Sequence, residues 1–99
     1  MKLWLDDERP APDGWLHVTT PEEAIEFLGD GLIAEMSLDH DLGLSDDRTG
    51  YTVAAWLEEA VLVRGLVPPA RITVHSANPV GRARMEQAIK KIQETTRSH

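Results

Sequence analysis

The sequence predicts an α/β domain organised around a mostly parallel sheet. Three observations point there. Short apolar runs of strand character alternate with longer stretches of helical spacing, the pattern of strand–helix–strand units. The order along the chain is strand, strand, helix, strand, helix, strand, helix. Three of the four strand candidates end in polar clusters, namely Asp6-Asp7, Asp39-His40-Asp41 and His75-Ser76-Ala77-Asn78. In an open parallel sheet these carboxyl ends share one edge, where ligands bind.

Lys2 to Leu5 is apolar and stops at Asp6-Asp7-Glu8-Arg9-Pro10, as a buried strand running into a loop does. Ala11-Pro12-Asp13-Gly14 prolongs the loop. Trp15 to Thr19 alternates and is the second strand. Thr20 caps a helix that Pro21 opens, with Glu23 completing a capping box. Ala24, Ile25, Phe27 and Leu28 form its apolar face, and it stops between Gly29 and Gly31. Ala34 to Leu38 is the third strand, and Leu44 to Gly50 is a polar loop. Tyr51 to Val63 is a helix, apolar at Val53, Ala54, Trp56, Leu57, Ala60 and Val61, and ended by Gly65 and Pro68-Pro69. Arg71 to His75 is the fourth strand. Asn78 caps and Pro79 opens the last helix, with Val80, Ala83, Met85, Ala88, Ile89 and Ile92 inward. Thr95 to His99 is expected to fray. Crossovers should be right-handed. About ten residues separate the first two strands, fewer than a parallel crossover usually needs. Either an extended loop crosses the sheet there or the two strands are not simple parallel neighbours.

The chain has 99 residues, with 17 acidic and 10 basic side chains and a net charge of −7. That length suits one domain, residues 1–99. Apolar residues make up 41% and charged residues 27%, the balance of a folded globular domain. The acidity argues against non-specific duplex DNA or membrane-surface binding, both of which need a basic field. It leaves room for a phosphate-bearing substrate held through a metal ion. Without cysteine, disulfides, thiolate catalysis and Cys-ligated zinc are excluded. No apolar run approaches a membrane span, and Asp6-Asp7 interrupts what would be a signal peptide's apolar region. A cytoplasmic location is expected.

Asp6, Asp7, Asp39 and Asp41 should meet at the sheet edge. Unneutralised, they repel one another, and an oxygen-bound Mg²⁺ or Mn²⁺ is the simplest remedy. Either cluster alone could equally be aspartates that end strands and cap turns; the two together favour a metal. His40 and His75 are each candidates for proton transfer near neutral pH, or else structural residues bonding a backbone carbonyl. His17 and His99 are expected at the surface. Ser76 and the helix start at Asn78 could hold a phosphate. Arg9, Arg82 and Arg84 are candidates to fork onto it, with at most one of Arg82 and Arg84 reaching the site and the other pairing with Glu86. Trp4, Trp15 and Trp56 are expected in the core rather than as ligand platforms. Asp46-Asp47-Arg48 is a solvated loop or a lid beside the site.

These residues resemble a receiver domain of the response-regulator type. Leu3-Trp4-Leu5-Asp6-Asp7-Glu8 resembles its first strand and acidic pair. Thr20-Pro21-Glu22-Glu23-Ala24 resembles the opening of its second helix. Ser37-Leu38-Asp39, with Gly50-Tyr51, resembles its phospho-acceptor strand and third helix, and His75-Ser76-Ala77 its hydroxyl-bearing strand end. More closely, Leu-Asp-Asp-Glu-Arg-Pro, Ser-Leu-Asp-His-Asp-Leu-Gly and Val-His-Ser-Ala-Asn-Pro are similar to the cyclic-phosphate processing receiver domains, a family associated with RNA repair.

The resemblance implies a compact receiver-like (flavodoxin-like) three-layer sandwich. It would have about four mostly parallel strands and three helices, without the first helix and fifth strand of a standard receiver. It makes Asp6 and Asp7 the metal pair, and Asp39 a metal ligand able to accept a phosphoryl group. The Asp41 backbone carbonyl would be a further ligand, and Ser76 would touch phosphate. The phosphate-pairing lysine of the missing strand has no counterpart. The expected function is therefore a metal-dependent phosphoesterase acting on a terminal or cyclic phosphate, such as an RNA or nucleotide 2′,3′-cyclic end, with His40 or His75 moving the proton. The alternative is a non-enzymatic receiver-like switch or interaction domain, phosphorylated on Asp39. Expected partners are a phosphate-bearing small molecule or an RNA end. Open sheet edges also admit a homodimer.

Overall fold

The computed structural model describes residues 1–43 and 47–97. The sheet has four strands, β1 (Lys2–Leu5), β2 (Trp15–Val18), β3 (Glu35–Leu38) and β4 (Arg71–Val74). Their order is β2-β1-β3-β4 and every pairing is parallel. The helices are α1 (Pro21–Gly29), α2 (Gly50–Arg64) and α3 (Pro79–Arg97). Element types and order follow the sequence expectation, with strand ends differing by one residue. The radius of gyration is 12.4 Å.

The short first link resolves as an extended loop. Residues 6–14 return the chain without a helix, and β1 and β2 are parallel neighbours with Lys2 opposite Trp15. That missing helix decides the layering. The remaining crossovers, β2 to β3 and β3 to β4, both run the same way across the sheet. Right-handed crossovers in one direction leave their helices on one face. α1 packs on α2, and α2 on α3. Leu3, Leu5, Met36, Leu38 and Ile72 meet Ala24, Leu28, Val53, Leu57, Met85 and Ile92 in one core. The described residues therefore make two layers rather than the expected three-layer sandwich. The opposite sheet face carries Lys2, Trp4, Trp15, His17, Glu35, Arg71 and Thr73, exposed or half-buried, with Ser37 buried among them.

Local sequence explains the helix ends. Thr20 Oγ1 accepts from the Glu23 N–H at 3.3 Å, and Glu23 reaches back to Thr19 and Thr20. Burial works to raise the Glu23 carboxyl, but the Thr19 and Thr20 bonds outweigh it and hold the group below its ordinary value. A depressed carboxyl contributes stability that is present above its unfolded pKa and lost as pH falls through the folded one. Glu23→Gln should therefore flatten the acid limb of a stability–pH curve below about pH 4.5, read by urea unfolding, and lower stability slightly at pH 7. In α2, Thr49 Oγ1 accepts from Tyr51 N–H and Thr52 Oγ1 from Thr49 N–H. Gly65 ends α2 at φ 68°, a left-handed conformation that glycine adopts readily.

Two expectations about α3 need correction. Val80, 71% exposed, and Ala83 face solvent. At 100° per residue they lie about 140° and 160° around the helix from Met85. Gly81, Met85, Ala88, Ile89 and Ile92 form the buried stripe instead. The tail does not fray at Thr95. Thr95 and Thr96 hydroxyls donate to the Lys91 and Ile92 carbonyls at 2.9 and 3.0 Å, and the helix runs to Arg97. Of the expected 46–48 loop, Asp46 lies outside the described residues, and Arg48 bonds Glu22 of α1.

Candidate metal centre

Parallel register builds this site. Leu5, Leu38 and Val74 are aligned across β1, β3 and β4. The next residue of each strand is Asp6, Asp39 and His75. The ladder continues through them, with Asp39 N–H donating to Leu5 O at 2.9 Å and His75 N–H to Leu38 O at 3.0 Å. Residues 69 positions apart thus touch: His75 Nε2 lies 3.0 Å from Asp6 Oδ2.

Asp6, 1% exposed, is bonded on every side. Its Oδ1 accepts the Glu8 and Arg9 N–H groups at 2.8 and 3.0 Å. His17 Nε2 lies 2.7 Å from its carbonyl oxygen, so this exposed histidine braces the site, a role its sequence context does not signal. Burial works to raise the Asp6 carboxyl, and the Arg9, Glu8 and His75 bonds bring it below its ordinary value. Asp39, 9% exposed, accepts only the His40 N–H among the described residues, at 2.9 Å. Burial first, and then the charge of Asp6, push its carboxyl above the ordinary value. Asp7 is exposed on the same edge, and Gly43 turns beside it at φ 66° with no side chain in the way.

One ligand oxygen from each of Asp6, Asp7 and Asp39 lies within 4.8 Å of the others. This donor set fits a hard divalent cation. All three donors are carboxylate oxygens, and Asp39 shows the mutual repulsion that a cation relieves. The cleft above them, about 320 Å³, is lined by Asp7, Glu8, Arg9, Asp39, Asp41, Gly43 and Ala77.

The other predicted residues divide into two groups. Arg9 lines the cleft and donates from Nη1 to the His75 carbonyl at 2.6 Å. Asp41 lines the cleft but turns to His40 Nδ1, at 2.9 Å, and to Asn78 Nδ2. The His40 bond holds its carboxyl below the ordinary value. His40 lies over Gly81 of α3, where a Cβ would come within 2.3 Å of its ring. Asn78 caps α3 through Oδ1 to Gly81 N–H at 3.0 Å, and Ser76 Oγ accepts from Asn78 N–H at 3.1 Å. Neither candidate arginine of α3 lines the cleft: Arg82 pairs with Glu86, and Arg84 lies over Tyr51 at 4.3 Å.

His75 is the most constrained of these groups. Its ring stacks on Trp4 with centroids 3.8 Å apart and planes 6° apart, and Nδ1 lies 2.7 Å from Ser37 Oγ. Burial pushes its pKa down, and Asp6 offsets this only in part. In a neutral ring so placed, Nε2 donates to the Asp6 carboxylate and Nδ1 accepts from Ser37. Trp4 therefore supports the site from the open face rather than filling the core under the helices. Ser37 was not among the expected site residues.

The family model described as the cyclic-phosphate processing receiver domain matches residues 1–91. No curated protein and no solved structure matches.

Proposed function

The chain belongs to the cyclic-phosphate processing receiver domains, and on that basis we propose that it is a divalent-metal-dependent phosphoesterase opening a cyclic phosphate, with RNA or nucleotide 2′,3′-cyclic ends as the substrate class. The observation that carries this reading is the convergence of Asp6, Asp7 and Asp39 within 4.8 Å, beside a cleft that Asp7 and Asp39 line. These three residues would hold Mg²⁺ or Mn²⁺. When bound, such an ion polarises a phosphoryl oxygen and lowers the pKa of water. Arg9 brings the positive charge that lines the cleft and orients the phosphate. Both ring nitrogens of His75 are engaged, so His75 holds Asp6 rather than moving a proton. His40, bonded through Nδ1 to the cleft-lining Asp41, is the remaining histidine for that task. Asn78 in turn steadies Asp41.

The test is an RNA ending in 2′,3′-cyclic phosphate, incubated with the protein and Mg²⁺ or Mn²⁺ and resolved by electrophoresis. Conversion to the monoester is expected, with none in chelator. An unopened end would contradict the reading. A stable phosphoryl group on Asp39 after exposure to acetyl phosphate would favour the switch function instead.

A further inference from the structure

We infer that Ser37 is a positioning residue for the metal centre, fixing the Asp6 carboxylate through His75. The inference rests on the reading above that Asp6 is a metal ligand. Ser37 lies on β3, one of the two inner strands, and is 4% exposed. A hydroxyl buried there is costly unless it is bonded, and its partner is His75 Nδ1 at 2.7 Å. An ionised carboxylate can only accept, so the proton between His75 and Asp6 sits on Nε2. A neutral ring must then accept at Nδ1, and Ser37 supplies that hydrogen.

The geometry removes the ring's alternatives. Turning it over would break both bonds at once. Trp4 lies flat against it, and Arg9 clamps the His75 carbonyl at 2.6 Å. Asp6 is fixed in turn, because Oδ1 takes two backbone N–H groups while Nε2 holds Oδ2. Outer partners of this kind orient a ligand before the ion arrives. Ser37, His75 and Asp6 follow the order of a hydrolytic triad, but Ser37 lies buried away from the cleft lining. It therefore orients rather than attacks.

Two readouts on the full chain test this: the His75 Nε2–H proton by NMR without metal, and the Mn²⁺ dissociation constant by calorimetry. Wild type should give a slowly exchanging Nε2–H signal. Ser37→Ala should lose that signal and bind Mn²⁺ about ten-fold or more weakly. Thr73→Ala, an exposed hydroxyl opposite Ser37 on β4, should match wild type in both. If Ser37→Ala does not fold, Ser37→Cys, a weak donor of similar size, takes its place. An unchanged dissociation constant overturns the inference. So does weaker binding with the Nε2–H signal retained, since the effect would not pass through His75. If wild type binds no Mn²⁺, the metal reading falls and the inference with it, while the NMR comparison still decides whether the Ser37–His75 link exists.

Discussion

Gly50→Ala should destabilise the protein by about 3 kcal/mol or more, at the upper end of overpacking costs. A Cβ at Gly50 would lie 1.9 Å from the Asp39 carbonyl oxygen and 3.3 Å from the His40 Cα. Both neighbours are backbone, so no side chain can swing aside. Gly50 N–H also donates to the His40 carbonyl at 2.9 Å, which ties the start of α2 to the turn carrying Asp39, His40 and Asp41. Relief would require α2 to withdraw from β3. With about 5–15 kcal/mol of total stability available to a domain, that loss is large. Urea unfolding should show a lower midpoint, and Mn²⁺ binding should weaken with it. An alanine variant of wild-type stability would mean that α2 does not approach Asp39 so closely.

Asp39→Asn should have opposite effects on stability and function. The folded protein disfavours the ionised form of Asp39, whose carboxyl is raised by burial and by Asp6. A group whose folded pKa is raised costs stability at neutral pH, and the cost disappears as pH falls through the folded value. Asparagine removes the charge and keeps an oxygen for the His40 N–H. The metal-free variant should therefore be more stable than wild type at pH 7, with the difference closing on acidification. Mg²⁺ at a hundred times its dissociation constant should stabilise wild type by about 2.7 kcal/mol and leave the variant unchanged. Cyclic-phosphate opening should fall by about a thousand-fold, matching the several kcal/mol a catalytic metal supplies. A variant that is less stable without metal, yet still stabilised by Mg²⁺, would contradict this account of the site.

Much of the fold was legible because its signals are local. Thr20, Pro21 and Glu23 announce α1, and Gly65 ends α2 by backbone chemistry alone. The acid clusters were legible because parallel strands must bring their carboxyl ends to one edge. Layering was harder to read. It depends on the absence of a helix between β1 and β2, together with the β2-β1-β3-β4 order, and no single segment encodes that order. Apolar content on α3 misplaced Val80 and Ala83, since only their angle around the axis decides exposure. Ser37 escaped notice because a serine in a strand has no motif of its own. Its partner lies 38 residues away and meets it only when β3 and β4 pair. The two histidines looked equivalent in sequence, and the contacts separate them: the His75 ring is locked against Asp6, Ser37 and Trp4, while among the described residues the His40 ring is bonded through Nδ1 to Asp41.

Mn²⁺ titration followed by amide NMR can locate the ion residue by residue. Paramagnetic broadening should begin at Asp6 to Arg9 and at Asp39 to Gly43, near one equivalent of metal, and disappear in Asp39→Asn. Broadening that starts at the exposed acids of the helices, such as Glu59 of α2 or Glu86 of α3, or that persists unchanged in Asp39→Asn, would contradict a metal centre built by Asp6, Asp7 and Asp39.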